Sequence, residues 1–167
     1  MRYYPVAIAL SLFCALSASV GSGAAPATSP AAEELRQQGQ AALNAGKTQA
    51  AIDAFEAALA IDPGFEPLYL DLARAARQEG LQGKAIHYYR EMLERDPKNF
   101  AAIAGEGEAM AEKGAVEKAR RNLAQLESLC GDRCDETKAL AAAIAGGGKN
   151  PVQTAEAVTP DAKVTQN

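Results

Sequence analysis

GKTQAAIDAFEAALAIDP, residues 46–63, and GLQGKAIHYYREMLERDP, residues 80–97, are two versions of one pattern. Gly46, Gly80 and Gly114 stand 34 residues apart each time. The bulky residues Phe55, Tyr89 and Leu123 keep the same register, as do Ala51, Ala85 and Ala119. Upstream, Leu35, Tyr69 and Ile103 form another column, and Asp62-Pro63 recurs as Asp96-Pro97. Cys130-Gly131 takes that place in the third copy. Self-similarity at a fixed period of this length marks a repeat architecture.

Each copy holds two helical stretches. In the first, Leu35, Gln38, Gly39 and Ala42 recur at steps of three and four, the spacing of one helix face. Gly46 with Lys47 ends that helix, and Thr48 is placed to cap the next. The second helix presents Ala51, Ile52, Phe55, Ala58 and Leu59 until Asp62-Pro63 stops it, because proline cannot continue the hydrogen-bond ladder. Asn99 is placed to cap the first helix of copy three. Small residues fall where helices must approach: Gly39, Ala73 and Gly107 on first helices, Ala51, Ala85 and Ala119 on second ones. One such pair cannot bury its apolar face alone, whereas stacked pairs share a continuous core. Residues 135–145, with Leu140 and Ile144 four apart, read as a further helix that covers the last copy. The expected fold is all-α: an α-solenoid of three helical hairpins (32–65, 66–99, 100–133) and a C-terminal capping helix within a domain of residues 32–145. Copy three, with Gly105, Gly107 and no proline, is expected to open most easily.

Composition narrows the function. The net charge is −4 and the pI about 5.1, without the basic footprint a phosphate backbone requires, so nucleic acid is not an expected partner. The single histidine, His87, lies off the packing stripe and reads as a surface residue. No nucleophile–base arrangement, phosphate-binding glycine loop or set of metal ligands suggests itself, and no enzyme activity, cofactor or metal is expected. At the N-terminus, one positive charge precedes an apolar run from Val6 to Leu16 and then small residues. This order reads as a secretory signal peptide over 1–24, cleaved between Ser22 and Ala27, with a linker over 25–31. Cys14 belongs to its core. After signal removal no stable membrane insertion is expected, and the mature chain goes to the bacterial periplasm or is secreted. Residues 146–167 lack periodicity and read as a disordered tail.

Cys130 and Cys134 flank the turn between the last repeat and the closing helix. In an oxidising compartment a disulfide between them would clamp that turn, contributing about 2 kcal/mol in the chain-entropy model. The alternative is a redox-active pair, although three intervening residues exceed the usual two.

These residues resemble the tetratricopeptide repeat family. Copy one supplies Leu35, Gly39, Ala51, Phe55, Ala58 and Pro63 of its pattern; copy two supplies Tyr69, Leu72-Ala73, Ala85, Tyr89, Met92 and Pro97. Copy three supplies Ile103, Gly107, Ala119, Leu123 and Leu126. The family's first-helix aromatic is replaced by Ala42, Ala76 and Met110. The resemblance implies a concave groove lined by first helices, where extended peptides or helices dock. Carried over by position, the groove residues are Arg36, Gln40 and Asn44, then Leu70, Arg74 and Arg77, then Glu108 and Glu112. The arginines would make one part cationic and the glutamates the other anionic. The Lys/Asn set with which some members grip a chaperone tail is absent. The function implied is a non-enzymatic scaffold binding a protein or peptide of a cell-envelope assembly. The alternatives are a thiol–disulfide component using Cys130 and Cys134, or an accessory subunit of a larger envelope enzyme complex.

Overall fold

The computed structural model describes residues 28–146. The expected signal peptide and its cleavage region, residues 25–27 of the expected linker and all but the first residue of the expected tail lie outside the described residues. Within them the chain forms seven α-helices and no strand: α1 Pro30–Asn44, α2 Thr48–Ile61, α3 Pro67–Gln78, α4 Gln82–Arg95, α5 Phe100–Glu112, α6 Val116–Cys130 and α7 Asp135–Ala145. They pack as the hairpins α1–α2, α3–α4 and α5–α6, each laid on the next, with α7 against α5 and α6. None of the described helices is long and apolar enough to cross a membrane.

The glycine column explains the hairpins. Gly46, Gly80 and Gly114 have φ of 71°, 75° and 84°, the left-handed region that other residues resist. The Gly46 N–H donates to Leu43 O at 3.0 Å and the Lys47 N–H to Ala42 O at 2.9 Å. Gly80 and Leu81, and Gly114 and Ala115, repeat both bonds. This double bond satisfies carbonyls that a helix end leaves free and reverses the chain in the same geometry each time. Because the next helix starts directly after the turn, Thr48 is already helical; Lys47 holds the cap position, and Thr48 is not the cap. Asn99 does cap α5, its side-chain oxygen accepting from the Ala102 N–H at 3.0 Å. In the Asp-Pro turns the aspartates accept backbone N–H groups: Gly64 donates to Asp62 at 3.1 Å and Lys98 to Asp96 at 3.2 Å. Gly131, with φ of 83°, makes the corresponding stop after α6.

The core runs through the stack as three adjoining clusters. Ile52, Phe55, Leu68 and Leu72 fill the first, Tyr69, Ala85, Tyr89 and Met92 the second, and Ile103, Ala119, Leu126 and Leu140 the third. Leu68 and Leu72 belong to α3 yet pack into repeat one, so each first helix serves two hairpins. That dual role accounts for Gln38. Its register partners Leu72 and Glu106 are buried against a preceding repeat, whereas Gln38 has no such neighbour among the described residues and is exposed, not part of the packing face.

Small residues lie at the closest approaches. A Cβ on Gly39 would overlap the ring of Phe55, one on Gly105 the ring of Tyr89, and one on Gly107 would lie 2.7 Å from Leu140 Cδ2. The glycines of copy three therefore admit side chains from both neighbours. Far from loosening the stack, α5 is its most enclosed helix, with every residue from Ala102 to Gly107 buried.

Candidate binding groove

The exposed sides of α1, α3 and α5 carry the expected groove residues, and the structure ties several of them to one another. Arg36 Nε donates to Asp71 Oδ2 at 2.7 Å, and Gln40 Nε2 lies 3.5 Å from the same oxygen. Arg77 bonds two glutamates of the next repeat: Nε donates to Glu112 Oε1 at 2.9 Å, and Nη1 bonds Glu108. The expected division into a cationic and an anionic part is thus replaced by cross-repeat ion pairs. Burial opposes the Arg77 charge, but Glu108 and Glu112 outweigh it and raise its pKa above the ordinary arginine value.

Arg74 differs. Its side chain is 53% exposed and only approaches Asp71, Nη1 to Oδ1 at 3.8 Å, beyond hydrogen-bond reach. It borders two adjoining crevices. One, of about 350 Å³, lies between Arg77, Tyr89, Ala104, Gly105 and the start of α7 at Asp135 and Glu136. The other, about 330 Å³, lies between Arg77, Gln78 and Glu112. Burial pushes the Tyr89 phenol up from its ordinary pKa, partly opposed by Arg77, so Tyr89 is a neutral wall of the first crevice. Leu70 is partly buried against the second core cluster, and Asn44 is exposed near the end of α1. A guanidinium with open donors beside a shallow crevice can take a carboxylate through two hydrogen bonds.

Sequence reasoning missed Asp71, which organises Arg36, Gln40 and Arg74. The signal was present in the spacing. Arg36–Asp71 and Arg77–Glu112 are each 35 apart; Gln40–Asp71 and Arg77–Glu108 are each 31 apart. With a period of 34, these offsets place side chains of successive first helices one residue ahead and one turn behind, where they meet.

At the far end, Cys130 and Cys134 bring their sulfurs together, with Cα atoms 5.7 Å apart, inside the range a disulfide requires. Glu136 Oε2 lies 3.0 Å from the Cys134 sulfur. A carboxylate there is the opposite of the electropositive surroundings that activate a thiolate. His87 is exposed beside Tyr88, their ring centroids 5.4 Å apart. Among the described residues no three His, Cys, Asp or Glu side chains gather as a metal site.

Stacked helical hairpins with a shared core and a polar face along the first helices define a helical-repeat solenoid. Residues 24–66, 36–100 and 70–127 match the tetratricopeptide repeat model, and the chain belongs to that family. No curated protein matches the sequence. Among solved structures, the Sgt2 tetratricopeptide domain of Aspergillus fumigatus is similar at 23% identity and a TM-score of 0.63, covering 71% of this chain and 80% of that one. The first such domain of Spaghetti (RPAP3), bound to the HSP90 peptide SRMEEVD, is similar at 19% identity and a TM-score of 0.62, covering 70% and 92%. The Yersinia enterocolitica type III secretion chaperone SycD, in complex with a peptide of the translocator YopD, gives 23% and 0.59, covering 68% and 86%. At these identities the likeness establishes the fold.

Proposed function

We propose that this protein is a non-enzymatic interaction scaffold of the bacterial envelope, taking an acidic segment of a partner protein along the first-helix groove. The observation that carries the reading is Arg74, a half-exposed guanidinium set between two crevices while its neighbours Arg36 and Arg77 are bonded to internal acids. Two of the similar structures hold peptides on the same fold, which supports a peptide as the ligand class. The export reading rests on the first 24 residues; in the periplasm the Cys130–Cys134 pair would be oxidised and would hold α7 against the last repeat.

Charge reversal at Arg74 tests the groove. Wild-type and Arg74→Glu proteins are tagged, recovered from native extract, and their co-purifying proteins quantified by mass spectrometry. The reading predicts loss of the dominant partner with helix content unchanged; equal recovery would contradict it. Cell fractionation with intact-mass measurement tests export. The expected product begins between Ser22 and Ala27; a full-length cytoplasmic chain would contradict this.

A further inference from the structure

The two inter-repeat junctions provide an internal comparison. At the first, between α2 and the α3–α4 hairpin, Glu56 is the acidic centre. Lys84 Nζ lies 2.6 Å from its Oε1, and the Tyr88 hydroxyl donates to it at 3.0 Å. One period later the three places are held by Arg90, Lys118 and Asn122. The acid has moved inward: Glu106, where repeat two has Leu72, accepts from Arg90 Nε at 2.7 Å and from Asn122 Nδ2 at 2.9 Å. The outer side of the second junction is left with cations alone.

It is also left with room. Gly83 replaces Gln49 and Ala115 replaces Leu81. Between α4 and the α5–α6 turn lies a crevice of about 350 Å³, lined by Gly83, Ile86, Arg90, Met110, Lys113 and Lys118 together with the turn. Its floor is apolar, its rim carries three cations, and no acid lines it. Glu106 offsets one of those charges through Arg90 Nε. Among the described residues Lys113 and Lys118 make no ion pair. A Cβ on Gly83 would meet nothing within 4 Å. Small-molecule sites combine this kind of apolar concavity with a few convergent polar groups. The crevice shares no residue with the groove around Arg74.

We propose that this crevice binds a small carboxylate bearing an apolar chain, its tail on Ile86 and Met110 and its charge between Lys113, Lys118 and the free nitrogens of Arg90. A carboxylate of this kind supplies the acid that Glu56 supplies at the first junction.

The test uses octanoate as probe, with acetate (charge without chain) and octanol (chain without charge) as controls, followed by amide NMR on the full mature chain. Octanoate is expected to shift the amides of Gly83, Gly114 and Ala115 saturably, with roughly millimolar affinity for so small a ligand. Acetate and octanol should be at least about tenfold weaker. Lys118→Glu supplies an internal acid for Arg90, an inverted copy of the Glu56–Lys84 pair, and should weaken octanoate at least about tenfold. Gly83→Leu fills the crevice without changing charge and should abolish the shifts, its fold verified by unchanged amide dispersion elsewhere. Octanoate shifts spread over the basic residues of the whole surface, no saturable shift at the crevice, or wild-type affinity in the well-folded Gly83→Leu protein would overturn the proposal.

Discussion

Helices α1 and α5 occupy the same place in the repeat and have opposite fates. In α1 only Ala32 and Gly39 are buried; in α5 nine residues are, including the charged Glu106. Their propensities do not explain this, since both are rich in alanine. Neighbours do: among the described residues α5 lies on α3, α4, α6 and α7, whereas α1 meets only α2 and the edge of α3. In a solenoid, burial belongs to the position in the stack rather than to the repeat pattern, and side chains follow it. Register partners Gln37 and Gly105 are an exposed amide and a contact surface for Tyr89.

The largest expected effect is at the lid. Leu140 is fully buried over α5, so Leu140→Ala should cost about 2–5 kcal/mol in denaturant unfolding, while Leu35→Ala on α1, partly buried, should cost about 1. Equal costs would mean that α7 is not the cover that distinguishes the two ends.

Next comes the shared register. Gly105→Ala forces a methyl into the Tyr89 ring and should destabilise by about 1–3 kcal/mol, whereas Gln37→Ala should stay within about 0.5. A neutral Gly105→Ala would show that the ring moves freely and that α5 is looser than its burial implies.

Much of this was legible in the sequence. The period of 34, the glycine turns, the Asp-Pro stops, the Asn99 cap and the closing helix all rest on local chemistry that residue types reveal. Three things were not. Thr48 looks like a cap, but the glycine turn leaves no residue between its last bond and the next helix. Gly105 and Gly107 look like weaknesses until Tyr89 and Leu140, distant in sequence, arrive against them. Arg36 and Arg77 look free because reading down columns compares equivalent positions, while their acids stand 31 or 35 residues away.

The smallest effect separates the two junctions by pH. Burial, reinforced by the hydrogen bond to Glu56, raises the Tyr88 pKa from 10.0 to about 12. The neutral phenol is therefore favoured in the folded state, and its contribution is complete below pH 10 and fades as pH rises toward 12. Tyr88→Phe should flatten this part of the stability profile, and absorbance titration should lose the ionisation near pH 12 that Tyr88 contributes, while Tyr89, also pushed up by burial, still ionises late. A stability profile unchanged by Tyr88→Phe at high pH would contradict the buried, Glu56-bonded phenol at the first junction.

Native-state amide exchange tests the stack most directly, because each helix reports its own opening. Helix α5 should be the slowest-exchanging first helix and α1 the fastest, and Leu140→Ala should strip protection from α5 before α1. Exchange from α5 as fast as from α1 in the wild-type protein, or an α5 untouched by loss of Leu140, would contradict a solenoid whose order grows from its neighbours.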